Sequence, residues 1–286
     1  MFSERIRRRN ELWWGRSRQR WNPSVWLNEA QRRRQKRVLR NASDPESVWQ
    51  AGKYWQRTLT NKWNAREFAK KHGCQVPELY WSGTDASDIP FETLPEHFVI
   101  RPAWGSGDAG VFVVAGEHDV LHGTACSPTQ LVERLEQERS GTGHVLLVEE
   151  YLKNEEGEYS LPIEYKCHMF CGEIGAIQMV DRTPGSMLES KQICYQADWT
   201  NFDEPIFAPL NPAEPADPPL CLDEIRACGG RLGGAYGTYV RVDFFATQRG
   251  CVFNEFASTP RFVEQATAFG DAYFEDLWRE HCPDTV

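Results

Sequence analysis

Residues 238–257 read TYVRVDFFATQRGCVFNEFA: two short apolar runs, 238–246 and 251–256, around a Gln248-Arg249-Gly250 turn. Alternation of this kind argues for strands. It puts Arg241, Asp243 and Phe245 on one face and Val240, Val242 and Phe244 on the other. A three-residue turn with glycine in the left-handed position sets Asp243 opposite Glu255, whereas a four-residue turn sets it opposite Asn254. Two carboxylates ~4 Å apart repel by about 4 kcal/mol at an effective dielectric near 20. A fold keeps such a pair if one acid is protonated or a cation lies between them, and hard oxygen donors suit Mg²⁺. A solvated edge hairpin would carry the same acids without that consequence, but apolar residues flank both strands here. Asp243, with Glu255 or Asn254, is therefore a candidate metal site.

Upstream, Asn61 is placed to cap a helix whose Ala65, Phe68, Ala69 and His72 share a face, with Gly73 as its stop. Residues 98–101 and 111–115 read as strands joined by the loop Gly105-Ser106-Gly107-Asp108-Ala109-Gly110. Such a loop lets backbone N–H groups approach phosphate oxygens, and Arg101 at the strand end adds charge. It is not a Walker loop, since no GK[ST] follows, nor a dinucleotide fingerprint, since it joins two strands rather than opening a helix. Ser127, Pro128 and Gln130 form a capping box for the next helix. Residues 145–152 form an apolar strand carrying the adjacent acids Glu149 and Glu150, and 162–170 and 174–180 form a hairpin turning at Cys171-Gly172-Glu173. The stretch 183–220 holds seven prolines and reads as an irregular active-site loop or lid. A glycine-rich helix over about 221–235 precedes the strands 238–246 and 251–256, and an aromatic helix closes the chain. His118 and His122 sit between Gly116 and Gly123 and read as an exposed loop.

The chain of 286 residues is 41% hydrophobic and carries a net charge of −9, enough apolar content for a sizeable core. The charge is unevenly spread: residues 1–40 hold 13 Lys/Arg against 3 Glu. Clusters at Arg7–Arg9 and Arg32–Arg34 alternate with Trp13, Trp14, Trp21 and Trp26, a pairing suited to an anionic interface or to docking on the acidic body. No helix-turn-helix, zinc or RNA-recognition signature accompanies this patch, so nucleic acid is not expected as its partner. No apolar run reaches the ~18–20 residues of a membrane span, and the start, MFSERIRRRN, has no secretory apolar stretch. The nine cysteines form no CxxC pair, which points to reduced thiols and a cytoplasmic protein rather than a zinc site or disulfide framework.

The ordered set NKWNAREFAKKHG, FVIRPAWGSGDAGVFVV, VEEYL, IEYKCHMFCGEIGAIQMVDR, YVRVDFF and FNEFASTP, over about 60–280, resembles the ATP-grasp superfamily, and within it the teichuronopeptide-biosynthesis (TupA-like) branch. The resemblance implies an α+β fold in which two α+β subdomains grip ATP. The expected division is a basic N-terminal helical arm over 1–60, an N-terminal part of the core over 61–95, a small lid subdomain over 96–150, and a C-terminal subdomain with the metal site over 151–286. It further implies that Lys62, Arg101 and the Gly105, Ser106, Gly107 and Gly110 loop meet the phosphates. Glu149, Glu150, Tyr151 and Leu152 would form the adenine hinge. Lys166 and Arg182 would lie near the triphosphate, Arg241 would steady the reacting carboxylate, and Asp243 and Glu255 would hold Mg²⁺. One departure stands out: Ala257 occupies a position where many members carry asparagine as a further metal ligand, leaving Asn254 or Ser258 as substitutes.

By that resemblance the expected activity is ATP-dependent carboxylate–amine ligation through an acyl phosphate, with release of ADP. The carboxylate would belong to an amino acid, a peptide or a uronic acid of a cell-surface polysaccharide. The basic arm would then meet an acidic glycan, a membrane surface or a partner. A phosphotransferase acting on a hydroxyl, and a binding protein on a degenerate ATP-grasp fold, are the alternatives.

Overall fold

A computed structural model of the chain describes residues 38–105, 109–139, 145–182, 190–209, 211–257 and 266–283. The expectations for residues 1–37, Ser106 and Gly107, and Ser258 fall outside these. Helix α1, Lys62–Lys71, starts where expected, because the Asn61 side chain accepts the Trp63 N–H at 2.8 Å. Its buried face carries Ala65, Phe68 and Ala69, and His72 at its end packs on the Phe68 ring at 4.4 Å. A single helical turn at Glu46–Trp49 and a 3₁₀ helix at Trp55–Thr60 precede it. Trp49 and Trp55 sit against Phe68 in the largest hydrophobic cluster. Part of the segment expected to be an arm is thus core, because two indoles bury more area on Phe68 than they could in solvent.

Two antiparallel sheets follow. The first contains β1 (Leu79–Gly83), β2 (His97–Pro102), β3 (Phe112–Ala115), β4 (His118–Asp119), β5 (Thr124–Ala125) and β6 (Leu146–Glu150), in the order β1-β6-β2-β3-β4-β5. Helix α2, Pro128–Arg139, covers it with Leu131 and Leu135 against Phe98, Ile100, Phe112 and Leu146. The Ser127–Gln130 capping box is present in both directions, at 2.8 and 3.3 Å. His118 and His122 are exposed, His122 in the turn after β4, where its ring approaches the fully buried Asp119 at 2.6 Å and Arg134 reaches the same carboxylate at 3.3 Å.

The second sheet contains β7 (Glu164–Phe170), β8 (Glu173–Asp181), β9 (Lys191–Tyr195), β10 (Tyr239–Thr247) and β11 (Gly250–Ala257), in the order β11-β10-β7-β8-β9. The 183–220 stretch expected to be irregular therefore supplies a fifth strand, β9, paired with β8. Its β-branched and aromatic residues were masked in the sequence by the prolines around them. Helix α3, Leu222–Tyr236, packs on one face of this sheet through small residues. A Cβ at Gly233 would come within 2.9 Å of the Met169 Cβ, so the helix sits closer than any larger residue allows. On the same face Val240, Val242, Phe244, Cys167 and Met169 complete the large cluster.

The opposite face is divided. One end is covered by helix α4, Ala268–His281, whose Phe274 and Trp278 pack with Phe170, Ile206 and Phe207. The other end carries the charged residues described below. Contrary to the expectation of reduced thiols throughout, Cys171 in the β7–β8 turn forms a disulfide with Cys282 after α4. Spacing along the chain hid this pair, since the two cysteines lie 111 residues apart. Among the described residues, no helix is long and apolar enough to cross a membrane.

Candidate active site

The hairpin β10–β11 places the acids. Its turn is shorter than expected: Thr247 pairs with Gly250, leaving a two-residue loop, with Gly250 at φ 89°. That register alone would bring Asn254 opposite Asp243. A β-bulge between Asp243 and Phe244 inserts one residue, so Asp243 pairs with Glu255 after all. Two successive side chains, Asn254 and Glu255, consequently reach the same charged cluster. Of the two alternatives left open by the sequence, Glu255 is the one opposite Asp243, through a bulge that loop length could not reveal.

Asp243 is fully buried and is held by two cations. Arg241 donates Nε to Oδ1 at 2.7 Å and Nη2 to Oδ2 at 2.6 Å, and Lys166 donates Nζ to Oδ2 at 3.0 Å. Burial pushes the Asp243 pKa up, but Arg241 and Lys166 outweigh it and hold the carboxyl below its ordinary value. In return burial opposes the Arg241 charge, and Asp243 more than restores it, raising the guanidinium pKa. Lys166 also contacts Glu164 at 2.7 Å, and Arg182 reaches Glu164 at 3.1 Å. Glu164 follows the same logic: burial raises its pKa, and Lys166 and Arg182 bring it below the usual value.

A second group bridges the two sheets. Glu149 on β6 is buried between Arg66, which it accepts through Oε1, and Arg101 Nε, which reaches its Oε2 at 2.6 Å. Arg101 then crosses to β11, donating Nη1 to the Asn254 Oδ1 at 3.0 Å, while Asn254 Nδ2 donates to Glu164 Oε1 at 3.0 Å. Lys62, first residue of α1, places its ammonium 3.4 Å from Glu255 Oε2 and 3.4 Å from the Gly105 carbonyl. Gly105 has φ 150° and Gly110 φ 71°, backbone conformations that keep the loop flanks open to close approach.

The site residues expected from sequence therefore divide. Lys62, Arg101, Gly105, Lys166, Arg182, Arg241, Asp243, Asn254 and Glu255 form one connected cluster. Gly110 flanks the loop, and Tyr151 and Leu152 are buried beyond β6, with the Tyr151 hydroxyl unpartnered among the described residues. Glu150 points the other way, accepting from the Glu78 N–H at 3.0 Å and from Arg249 at 2.8 Å. Glu149 enters through its carboxylate rather than as an apolar hinge residue. Arg66 and Glu164 were missed. Glu164 lies two residues before Lys166 on the same strand face, and Arg66 lies one helical turn after Lys62. Those spacings were the available signals.

The donor set fits a metal–nucleotide ligand: clustered guanidinium and ammonium groups match phosphate oxygens, and the facing carboxylates match a hard cation. The buried Tyr151 ring, beside Tyr159 and His97, adds an aromatic wall next to β6.

The two antiparallel sheets are thus joined by a charged network. The chain belongs to the TupA-like ATP-grasp family, whose model matches residues 49–277. In structure it is similar to D-alanine–D-alanine ligase from Bacillus anthracis complexed with ATP, at 15% identity and TM-score 0.50, over 80% of this chain and 65% of that one. A second structure of that enzyme matches at 16% identity and TM-score 0.51, over 80% and 69%. At these identities the shared property is the fold, and the chain spans about two thirds of the length of these ligases. No curated protein matches the sequence.

Proposed function

We propose that the protein is an ATP- and Mg²⁺-dependent ligase that joins a carboxylate to an amine and releases ADP and phosphate. The observation that carries this reading is the Asp243–Glu255 register pair, flanked by Arg241, Lys166 and Lys62. Oxygen donors for a hard cation and cationic donors for phosphate meet there. Asp243 and Glu255 are the residues that would hold Mg²⁺, which when bound neutralises and orients the phosphoryl group. Lys62, Arg101 and Lys166 grip the triphosphate, with the Gly105 carbonyl beside Lys62. Tyr151 and Leu152 serve the adenine side.

In the first step a carboxylate oxygen of the substrate attacks the γ-phosphorus, the bond to the ADP oxygen breaks, and an acyl phosphate forms. In the second an amine attacks the acyl carbon, phosphate leaves, and the amine loses a proton. Arg241 stands beside the reacting carboxylate and balances the anionic intermediates, with Arg182 as a further cation at the same end. The carboxylate of this reading belongs to an amino acid, a peptide or a uronic acid of a cell-surface polysaccharide, as the resemblance of the sequence motifs to the teichuronopeptide-biosynthesis branch implies.

The test is ADP release measured across carboxylate and amine pairs, with the product analysed by mass spectrometry. Release that needs both partners and yields an amide supports ligation, and loss of most turnover in Asp243→Asn and Glu255→Gln ties it to this site. A stable phosphate ester formed with no amine would identify a phosphotransferase instead. Absence of Mg-ATP binding would leave a binding protein.

A further inference from the structure

We propose that Cys228 is an oxidation site separate from the charged cluster: hydrogen peroxide converts it to a sulfenic acid, and Cys74 then closes a disulfide with it that ties the end of α1 to α3. This holds whether or not the protein is a ligase.

Three elements bring the sulfurs together. Helix α1 ends in a Schellman turn: Gly73, at φ 71°, donates its N–H to the Lys70 carbonyl at 3.0 Å, and Cys74 donates its own to the Ala69 carbonyl at 3.0 Å. Cys74 is thereby fixed just beyond the helix. Gln75 then forms a bridge with Val252, which brings Cys251, near the start of β11, alongside. Cys228 comes from α3, one turn before Arg231. All three thiols belong to the large hydrophobic cluster, on the face of the second sheet that α3 covers.

Cysteines gathered in this way are ordinarily core filling. Arg231 makes this group different. Its Nη2 lies 3.2 Å from Cys228 Sγ and 3.9 Å from Cys74 Sγ, while its Nε donates to the His72 carbonyl at 3.1 Å. A guanidinium beside a sulfur favours the thiolate, which is the reactive form. The Cys251 and Cys74 thiols donate to Cys228 Sγ; those hydrogen bonds, and then Arg231, hold Cys228 below the usual thiol range despite burial. The same hydrogen bonds push Cys74 and Cys251 up. The negative charge therefore settles on the sulfur nearest the guanidinium.

Access selects the partner. Arg231 is exposed, and Cys228 and Cys74 keep 7% and 6% exposure against 2% for Cys251. Cys251 is also held in the ladder opposite Ala246 and donates its N–H to Glu224 at 2.9 Å. The Cys74 thiol has a weak second neighbour, the His72 carbonyl at 4.0 Å, and lies outside any strand.

The chemistry balances with peroxide as the oxidant. The Cys228 thiolate attacks one peroxide oxygen, an S–O bond forms, the O–O bond breaks, and the departing hydroxide is protonated by solvent. The Cys74 thiol then gives up its proton and attacks the Cys228 sulfur. The S–S bond forms, the S–O bond breaks, and the leaving hydroxide takes that proton and departs as water. Two thiols lose two electrons, and one peroxide becomes two waters.

Among the described residues Cys194 is the free cysteine that is not buried, so exposure alone predicts that it reacts first. The test is limiting alkylation of the full chain with iodoacetamide at about pH 7, read by peptide mass spectrometry. Cys228 should react about tenfold faster than Cys194. In Arg231→Gln that advantage should disappear while the Cys194 rate stays as it was. Faster labelling of Cys74, Cys228 and Cys251 together in that variant would mean that Arg231 only braces α1, and would overturn the proposal. A single equivalent of hydrogen peroxide should give a Cys74–Cys228 disulfide in non-reduced peptide maps. Cys74→Ser should instead leave Cys228 as a sulfenic acid trapped by dimedone. Cys194 reacting first, an unchanged Cys228 rate in Arg231→Gln, or a peroxide product that does not join Cys74 to Cys228 would each overturn it as well.

Discussion

Replacing Glu149 with glutamine removes one charge and leaves two buried guanidiniums. Arg66 and Arg101 are 4% and 8% exposed, so neither escapes to water when the carboxylate is lost. The Arg101 contact at 2.6 Å corresponds to about 6 kcal/mol of Coulomb attraction at an effective dielectric of 20. Most of it offsets the desolvation of the charges themselves, so the net loss is set by the stranded arginines. Breaking a buried pair from one side costs about 3–5 kcal/mol. The glutamine amide worsens matters, since its N–H groups face guanidinium N–H groups. Urea titration followed by circular dichroism should therefore show Glu149→Gln destabilised by about 3–5 kcal/mol with an unchanged m-value. Arg101 is also the residue that spans from β2 to Asn254 on β11, so the same variant should weaken a non-hydrolysable ATP analogue by about tenfold or more in calorimetry. A double-mutant cycle with Arg66→Met adds an internal control, because residues sharing a partner couple by about 0.5–3 kcal/mol. A stability loss below about 1 kcal/mol, or strict additivity in the cycle, would refute the placement of Glu149 as the shared anchor.

The fully buried His168 is held neutral by desolvation first and by the nearby Arg241 and Lys166, which lower its pKa well below 6.5; its Nδ1 lies 3.0 Å from the Tyr239 hydroxyl. The unfolded chain takes up that proton as pH falls below 6.5 and the folded chain does not, so stability should fall toward acid at about 1.4 kcal/mol per pH unit. His168→Gln should flatten that slope between about pH 5 and 6 in denaturant titrations, and parallel curves for variant and wild type would contradict it. The Cys171–Cys282 bond closes a loop with a sequence separation of 111, for which chain entropy predicts about 4–5 kcal/mol. Thermal unfolding with and without reductant should reveal a loss of that order, matched by Cys282→Ser; indifference to reductant would show that the pair does not stabilise the fold.

Much of the larger sheet was written locally. Alternation in 239–257 put Arg241 and Asp243 on one face, Asn61 and the Ser127–Gln130 box fixed two helix starts, and the ordered glycine and acid-rich segments pointed to the family. These features depend on residues a few positions apart, which is the range over which sequence pattern acts. The tertiary structure decided what lies between distant segments. It turned a two-residue loop into the right register through a bulge at Asn254, recruited β9 out of a proline-rich stretch, and drew Trp49 and Trp55 into the core. It also made Glu149 an anchor for two arginines and joined Cys171 to Cys282. Each of these outcomes depends on packing area or on charges meeting across the sheets, and the chain carries no local mark of its partner. For the same reason the acids at 243 and 255 were legible as a candidate metal pair, while the cations that already hold Asp243 could be counted only once β7 and β10 had been brought together.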